Sequence, residues 1–217
     1  LSAHIAAMTR VVKNIERDGA PARAVIASRV YETDAADLWD ALTSRQRLPR
    51  WFAPVSGDLK LGGRYQVEGN AGGTITECEP EKKIVMTWEF IGGMSWVTLT
   101  LSPQGEGTRL ELEHVAFVDP HWEKFGSGAV GVGWDLSFMG LARHLAEPCA
   151  EHPAEAAEGW FASDEARSVI RTTSEAWGRA EIEGGGDRET ALARAEMTRK
   201  FFTGEISPSE AFGTSEM

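Results

Sequence analysis

Cysteine is nearly missing from this chain. Two stand among 217 residues, Cys78 and Cys149, far apart and outside any CxxC pair. That excludes a disulfide-stapled fold, and the expectation is a reduced, cytoplasmic protein. No run approaches the roughly 20 apolar residues that a membrane-spanning helix needs. The first 18 residues lack the basic start and apolar core of a secretory signal. Positive charge is scarce: 22 Lys and Arg against 33 Asp and Glu give a net charge of −11. Seven of the basic and fifteen of the acidic residues fall from Glu147 onward, so most of the excess sits in the C-terminal part. A phosphate backbone needs the opposite sign, so no nucleic-acid partner is expected. Also missing are a nucleophile elbow, a paired-carboxylate motif and a Ser-His-Asp order.

What the chain does have is tryptophan, eight residues of it, in a composition that is 42% apolar. Val11 to Arg17 and Arg23 to Tyr31 read as strands joined at Asp18-Gly19, a strong hairpin signal. Asp34 is a good N-cap for a helix over Ala35 to Leu42, which carries Trp39. Leu48-Pro49-Arg50-Trp51-Phe52 reads as a second short helix, ended by Pro54. Turn-separated strands follow at Arg64–Glu68, Gly73–Glu79, Lys83–Phe90, Trp96–Ser102 and Thr108–Phe117.

Alternation sorts the faces of these strands. Ile84, Met86, Trp88 and Phe90 share one side; Val97, Leu99 and Leu101 form a second apolar row; Leu110, Leu112 and His114 form a third. The opposite face is expected to be largely wet. Gly128 to Leu145 reads as one long covering helix, with Val130, Trp134, Phe138, Leu141 and Leu145 in register and Asp135, Arg143 and His144 facing away. Strands that cannot bury themselves, followed by one helix able to cover them, describe an α+β sheet wrapped around a helix, and that shape leaves a cavity.

Residues 1–146 form the expected main domain and 147–160 a linker rich in Glu, Ala and Pro. Residues 161–217 form a helical appendage and tail. Its first helix spans Ser163 to Glu183 with Val169, Ile170, Thr173, Trp177 and Ala180 on one stripe. The triple glycine at 184–186 breaks it, and Asp187 caps a second helix that Gly204 stops. The hairpin is expected to pack on its own domain, or else on a second copy as a homodimer.

Several segments, taken in order, resemble the START-like SRPBCC superfamily. Within it the chain is similar to the branch named for the activator of the heat-shock-protein-90 ATPase. The segments are Leu38-Trp39-Asp40-Ala41-Leu42, Leu48 to Pro54, residues 57–63, Gly73-Thr74-Ile75 through Pro80, Val85 to Trp88, Gly107-Thr108-Arg109-Leu110 and Gly133-Trp134. The resemblance implies a helix-grip fold over residues 25–146: a curved antiparallel sheet gripping the long helix, closed at one end by two short helices. It implies a fold far more than an activity.

Trp51, Phe52, Ile75, Met86, Trp88, Phe90, Leu99, Leu112, His114, Trp134 and Phe138 are the expected lining of a small-molecule cavity. The alternative is that these side chains only fill the core. His114 could meet a ligand carbonyl or move a proton, or could be a neutral histidine held by its neighbours. Glu77 could point inward or sit solvated at a rim. Gly126, Gly128 and Gly131 match GxGxxG, but an antiparallel strand and a loop precede them where a dinucleotide site needs a βαβ unit. They are expected to let the helix start approach the sheet closely, or to leave room above a ligand. His144, Cys149, Glu151 and His152 fit no zinc spacing. No cofactor, metal or catalytic residue is assigned. The functional expectation is binding of a small hydrophobic molecule. One rival is a cyclase, aromatase or hydrolase-like enzyme using polar groups in the same cavity. Another is an interaction module that activates a chaperone ATPase.

Overall fold

The computed structural model describes residues 2–149 and 159–212. After a short helix α1 (Ser2–Ala6), strands β1 (Thr9–Arg17) and β2 (Ala20–Tyr31) form a two-residue hairpin. Asp18 and Gly19 both have positive φ, 52° and 78°, the geometry that matches the twist of the flanking strands. Helix α2 (Ala35–Thr43) begins where the Asp34 carboxylate accepts from the Asp37 amide. Pro49 limits the next segment to one 3-10 turn, Leu48–Arg50, instead of a second α-helix.

Six more strands follow: β3 (Val55–Gly57), β4 (Arg64–Val67), β5 (Gly72–Glu79), β6 (Lys83–Phe90), β7 (Gly93–Gln104) and β8 (Gly107–Phe117). They join the first hairpin in one antiparallel sheet ordered β1-β2-β8-β7-β6-β5-β4-β3. Helices α3 (Pro120–Phe125), α4 (Gly128–Ala146), α5 (Asp164–Glu183), α6 (Arg188–Phe202) and α7 (Pro208–Phe212) complete the chain. The sheet holds α4 against it, with α2 and the 3-10 turn at one end: this is the α+β helix-grip arrangement. Short pieces without a long periodic pattern, namely α1, β3, α3 and α7, were not visible in the sequence.

Helix α4 departs from its expected one-sided covering role. Val132, Asp135, Met139 and His144 are buried along with Phe138 and Leu141, whereas Val130 and Trp134 are half-buried. The reason is that α5 packs along α4 and β1 on the side away from the cavity. Trp177 of α5 is completely buried, and its indole N–H donates to the Asp135 carboxylate at 3.1 Å. The Arg10 guanidinium of β1 meets the same carboxylate oxygen at 2.8 Å. Burial pushes the Asp135 carboxyl up to about 7, against the pull of Arg10 and the hydrogen bond from Trp177.

The two glycines at the start of α4 make room for α5 and α6, not for an approach to the sheet or for a ligand. A Cβ on Gly131 would lie 2.4 Å from the Trp177 ring, and one on Gly128 would lie 2.8 Å from the Thr198 side chain of α6. Glu181 of α5 also accepts from the Ser127 amide at the N-terminus of α4, where a carboxylate is electrostatically favoured. The helical hairpin thus docks on its own main domain.

The outer face of the sheet is only partly wet. Ala22, Ala24, Ile26 and Val115 form a buried cluster there with Ile15, Trp96 and Phe117. The Arg17 guanidinium lies over Trp96, 3.5 Å from the ring centre, and shields it.

Candidate ligand cavity

Between α4, the α2 to 3-10 segment and strands β3–β8 lies a half-enclosed cavity of about 350 Å³. The sheet side of the cavity follows from strand alternation. Met86 and Trp88 come from the inner face of β6, Leu99 from β7, Leu112 from β8 and Ile75 from β5. Trp51 and Phe52 arrive from the 3-10 turn, and Trp134 and Phe138 from α4. Nine of the eleven expected residues therefore line one space.

The other two do not. Phe90 is 43% exposed, because the β6–β7 hairpin runs past the helices and nothing covers its end. His114 is buried beside the cavity but turned into the wall. Its Nδ1 accepts from the Trp134 indole N–H at 3.0 Å. An indole N–H can only donate, so Nδ1 carries no proton and Nε2 does. Nε2 then donates to the Ser95 hydroxyl, 2.8 Å away, which donates in turn to the Trp88 carbonyl at 3.1 Å. Complete burial lowers the His114 pKa to about 4, so the ring is neutral. With both nitrogens occupied and the proton on Nε2, His114 cannot accept a proton from Ser95. Its role is to fix the Trp134 indole across the cavity wall.

That indole belongs to an aromatic layer. Trp134 stacks on Phe52 with ring centres 6.3 Å apart and tilts against Trp88 at 5.1 Å. Trp51 continues the layer from Phe52, and Tyr65 from Trp88. Such contacts add roughly 0.5–1.5 kcal/mol per pair beyond area burial.

Glu77 lies outside. A register shift in the β5–β6 pairing between Ile75 and Glu77 breaks strict alternation, and Glu77 pairs with Lys83 at the surface. The bulge instead leaves Cys78 on the cavity lining. His144 accepts from Arg47 Nε at 3.1 Å and is buried, and Cys149 is exposed. Glu151 and His152 fall outside the described residues. No group of three or more metal-ligating side chains occurs among the described residues.

Sequence reading missed several lining residues. Trp39, Leu42 and Thr43 lie on a helix whose apolar side was visible but not assigned to the cavity. Val55 and Leu59 come from the unrecognised β3 and the loop after it. Ser137 lies one turn beyond Trp134, a spacing that could have flagged it. A second depression, lined by Glu123, Asp187 and Arg194 among others, is an open groove at the surface between α3 and α6.

Comparison with known proteins places this geometry. Residues 32–146, just over half the chain, match the family described as activator of Hsp90 ATPase homolog 1-like protein. The chain belongs to this family. The crystal structure of CalU16 from Micromonospora echinospora is 30% identical, with a TM-score of 0.65, covering 80% of this chain and 98% of CalU16. The solution structure of CalU16 gives 31% identity and a TM-score of 0.69 over 82% of this chain and 97% of its own. Those shares exceed what residues 1–146 alone would give, so the likeness runs into the C-terminal helices. The human activator of 90 kDa heat shock protein ATPase homolog 1 is 27% identical over 114 residues, half of this chain. The chain spans only about a third of that relative's length, 34%. No described helix is long and apolar enough to cross a membrane.

Proposed function

We propose that this protein binds a small hydrophobic molecule in the cavity between sheet and α4. The observation that carries the reading is the cavity itself: about 350 Å³, walled by apolar and aromatic side chains, with no charged residue on its lining. Sites for small apolar ligands have this form. An enzyme reading would call for at least two convergent polar groups facing the space. His114 is held in the wall, Glu77 is outside, and the lining hydroxyls of Thr43 and Ser137 each donate to a backbone carbonyl one turn back. Binding without chemistry is therefore the function the geometry supports best. The chaperone role named for the human relative belongs to a protein of which the match covers only 34%.

The test uses a neutral fluorophore, N-phenyl-1-naphthylamine, and native mass spectrometry of gently purified protein. The wild type is expected to bind the probe at one per chain. Met86→Trp, which fills the space, should lose that binding and keep the fold by circular dichroism. Undiminished binding by a folded Met86→Trp variant would refute the assignment.

A further inference from the structure

The hydrogen-bond inventory of the lining narrows the class of ligand. Of the polar groups that face or edge the cavity, most donors are already occupied within the protein. The Trp51 indole donates to the Ala41 carbonyl, Trp134 to His114, and the Tyr65 hydroxyl to the Thr87 carbonyl. Thr43 and Ser137 donate to Trp39 and Gly133. Two indoles differ. Trp39 and Trp88 both line the cavity and are half-buried, and neither indole N–H has a protein partner. Nor are they sealed off: the unpaired indole nitrogen that is buried among the described residues is that of Trp160, elsewhere in the fold. Each of the two N–H groups therefore keeps some solvent access and is free to meet an acceptor.

Charge supplies the second constraint. Not one Asp, Glu, Lys, Arg or His stands among the lining residues, so an ionised ligand group would lose its water with no countercharge to replace it. Shape supplies the third, because the walls include the aromatic layer of Trp51, Phe52, Trp134 and Trp88.

Resting on the ligand-binding reading above, we propose that the cavity selects neutral aromatic molecules that carry an acceptor oxygen, a ketone or an ether. Trp39 and Trp88 would serve as the donors that recognise this oxygen. A pure hydrocarbon fills the space but leaves the indoles unmatched. A carboxylate of the same shape matches an indole but arrives with an uncompensated charge.

Three ligands of one shape separate these cases: 9-fluorenone, fluorene and fluorene-9-carboxylate. Each is measured by displacement of N-phenyl-1-naphthylamine from the full-length chain. Fluorenone should bind several-fold to about tenfold more tightly than fluorene, the scale of one net hydrogen bond. The carboxylate should bind at least about a hundredfold more weakly than the ketone. The decisive readout is the ketone-to-hydrocarbon affinity ratio within each variant, since lost packing weakens both ligands alike. Trp39→Phe, Trp88→Phe or the double variant should bring that ratio to about one, and whichever single change does so identifies the donor. A ratio unchanged in the double variant overturns the inference, as does a wild type that binds fluorene or the carboxylate as well as fluorenone. In those cases the probe still binds and Met86→Trp still abolishes it, so the cavity reading survives. If no ligand displaces the probe and Met86→Trp binds it normally, both readings fail.

Discussion

Two glycines two positions apart on α4 should respond to the same substitution with opposite signs. At Gly133 an added Cβ meets nothing within 4 Å. Gly133→Ala should then gain the helix propensity of alanine, about 0.5–1 kcal/mol. At Gly131 the new carbon would lie 2.4, 2.5 and 2.6 Å from three atoms of the Trp177 ring. Ordinary contact requires about 3.5 Å or more, so the ring must move by about 1 Å. Trp177 is completely buried and its N–H is tied to Asp135 at 3.1 Å, so it has nowhere to go without straining that bond. Overpacking of this kind costs about 1–3 kcal/mol, and the weakened bond to a carboxylate adds to it. Against a propensity gain of about 1 kcal/mol, the net for Gly131→Ala is a loss of about 2 kcal/mol. For a chain of this size that lowers the melting temperature by about 4–8 °C, while Gly133→Ala raises it by about 1–4 °C. Thermal unfolding by circular dichroism decides the matter. If Gly131→Ala also stabilises, the C-terminal hairpin does not dock on α4 through Trp177, and the account of the second half of the chain is wrong.

The pH dependence of stability should reveal two buried groups that offset each other. The folded-state pKa of Asp135 lies near 7, above its ordinary 3.8, so its contribution is fully present below about pH 4 and is lost as pH rises toward 7. His114 is lowered from 6.5 to about 4, so its contribution is present above 6.5 and lost as pH falls toward 4. Each amounts to about 1.4 kcal/mol per pH unit, with opposite slopes between about 4 and 6.5. Asp135→Asn should therefore lose stability on acidification through that window, and His114→Gln on alkalinisation; urea titrations that show the reverse slopes would refute the assignment. Trp134→Ala removes three ring contacts and the donor to His114, and should cost about 3 kcal/mol in denaturant unfolding; a loss under 1 kcal/mol would contradict the anchoring role. Trp177→Ala should destabilise the chain and raise amide exchange across residues 164–202 before it does so in β2 and β8; uniform exchange would argue against a separately docked hairpin.

Much of the architecture is written locally. The Asp18-Gly19 turn, the caps at Asp34 and Asp187, and the alternation along β6, β7 and β8 are each set by neighbours within a few residues, and so they were legible in order. Inner-face alternation likewise named five side chains that share one cavity, and the turn after α2 and the register of α4 named four more. The tertiary structure alone decided where the pattern stops and what covers the other side. Phe90 obeys the alternation yet lies beyond the helices, because period two fixes a face but not the edge of its cover. Glu77 left the expected face because one bulge shifts the register. Asp135 read as a solvated polar residue on an amphipathic helix. It is buried because Arg10, 125 residues earlier, and Trp177, 42 residues later, converge on one carboxylate oxygen. Helical periodicity records how apolar a face is. It cannot record a partner that makes a charged residue tolerable inside, because that compensation depends on chain segments brought together only by folding.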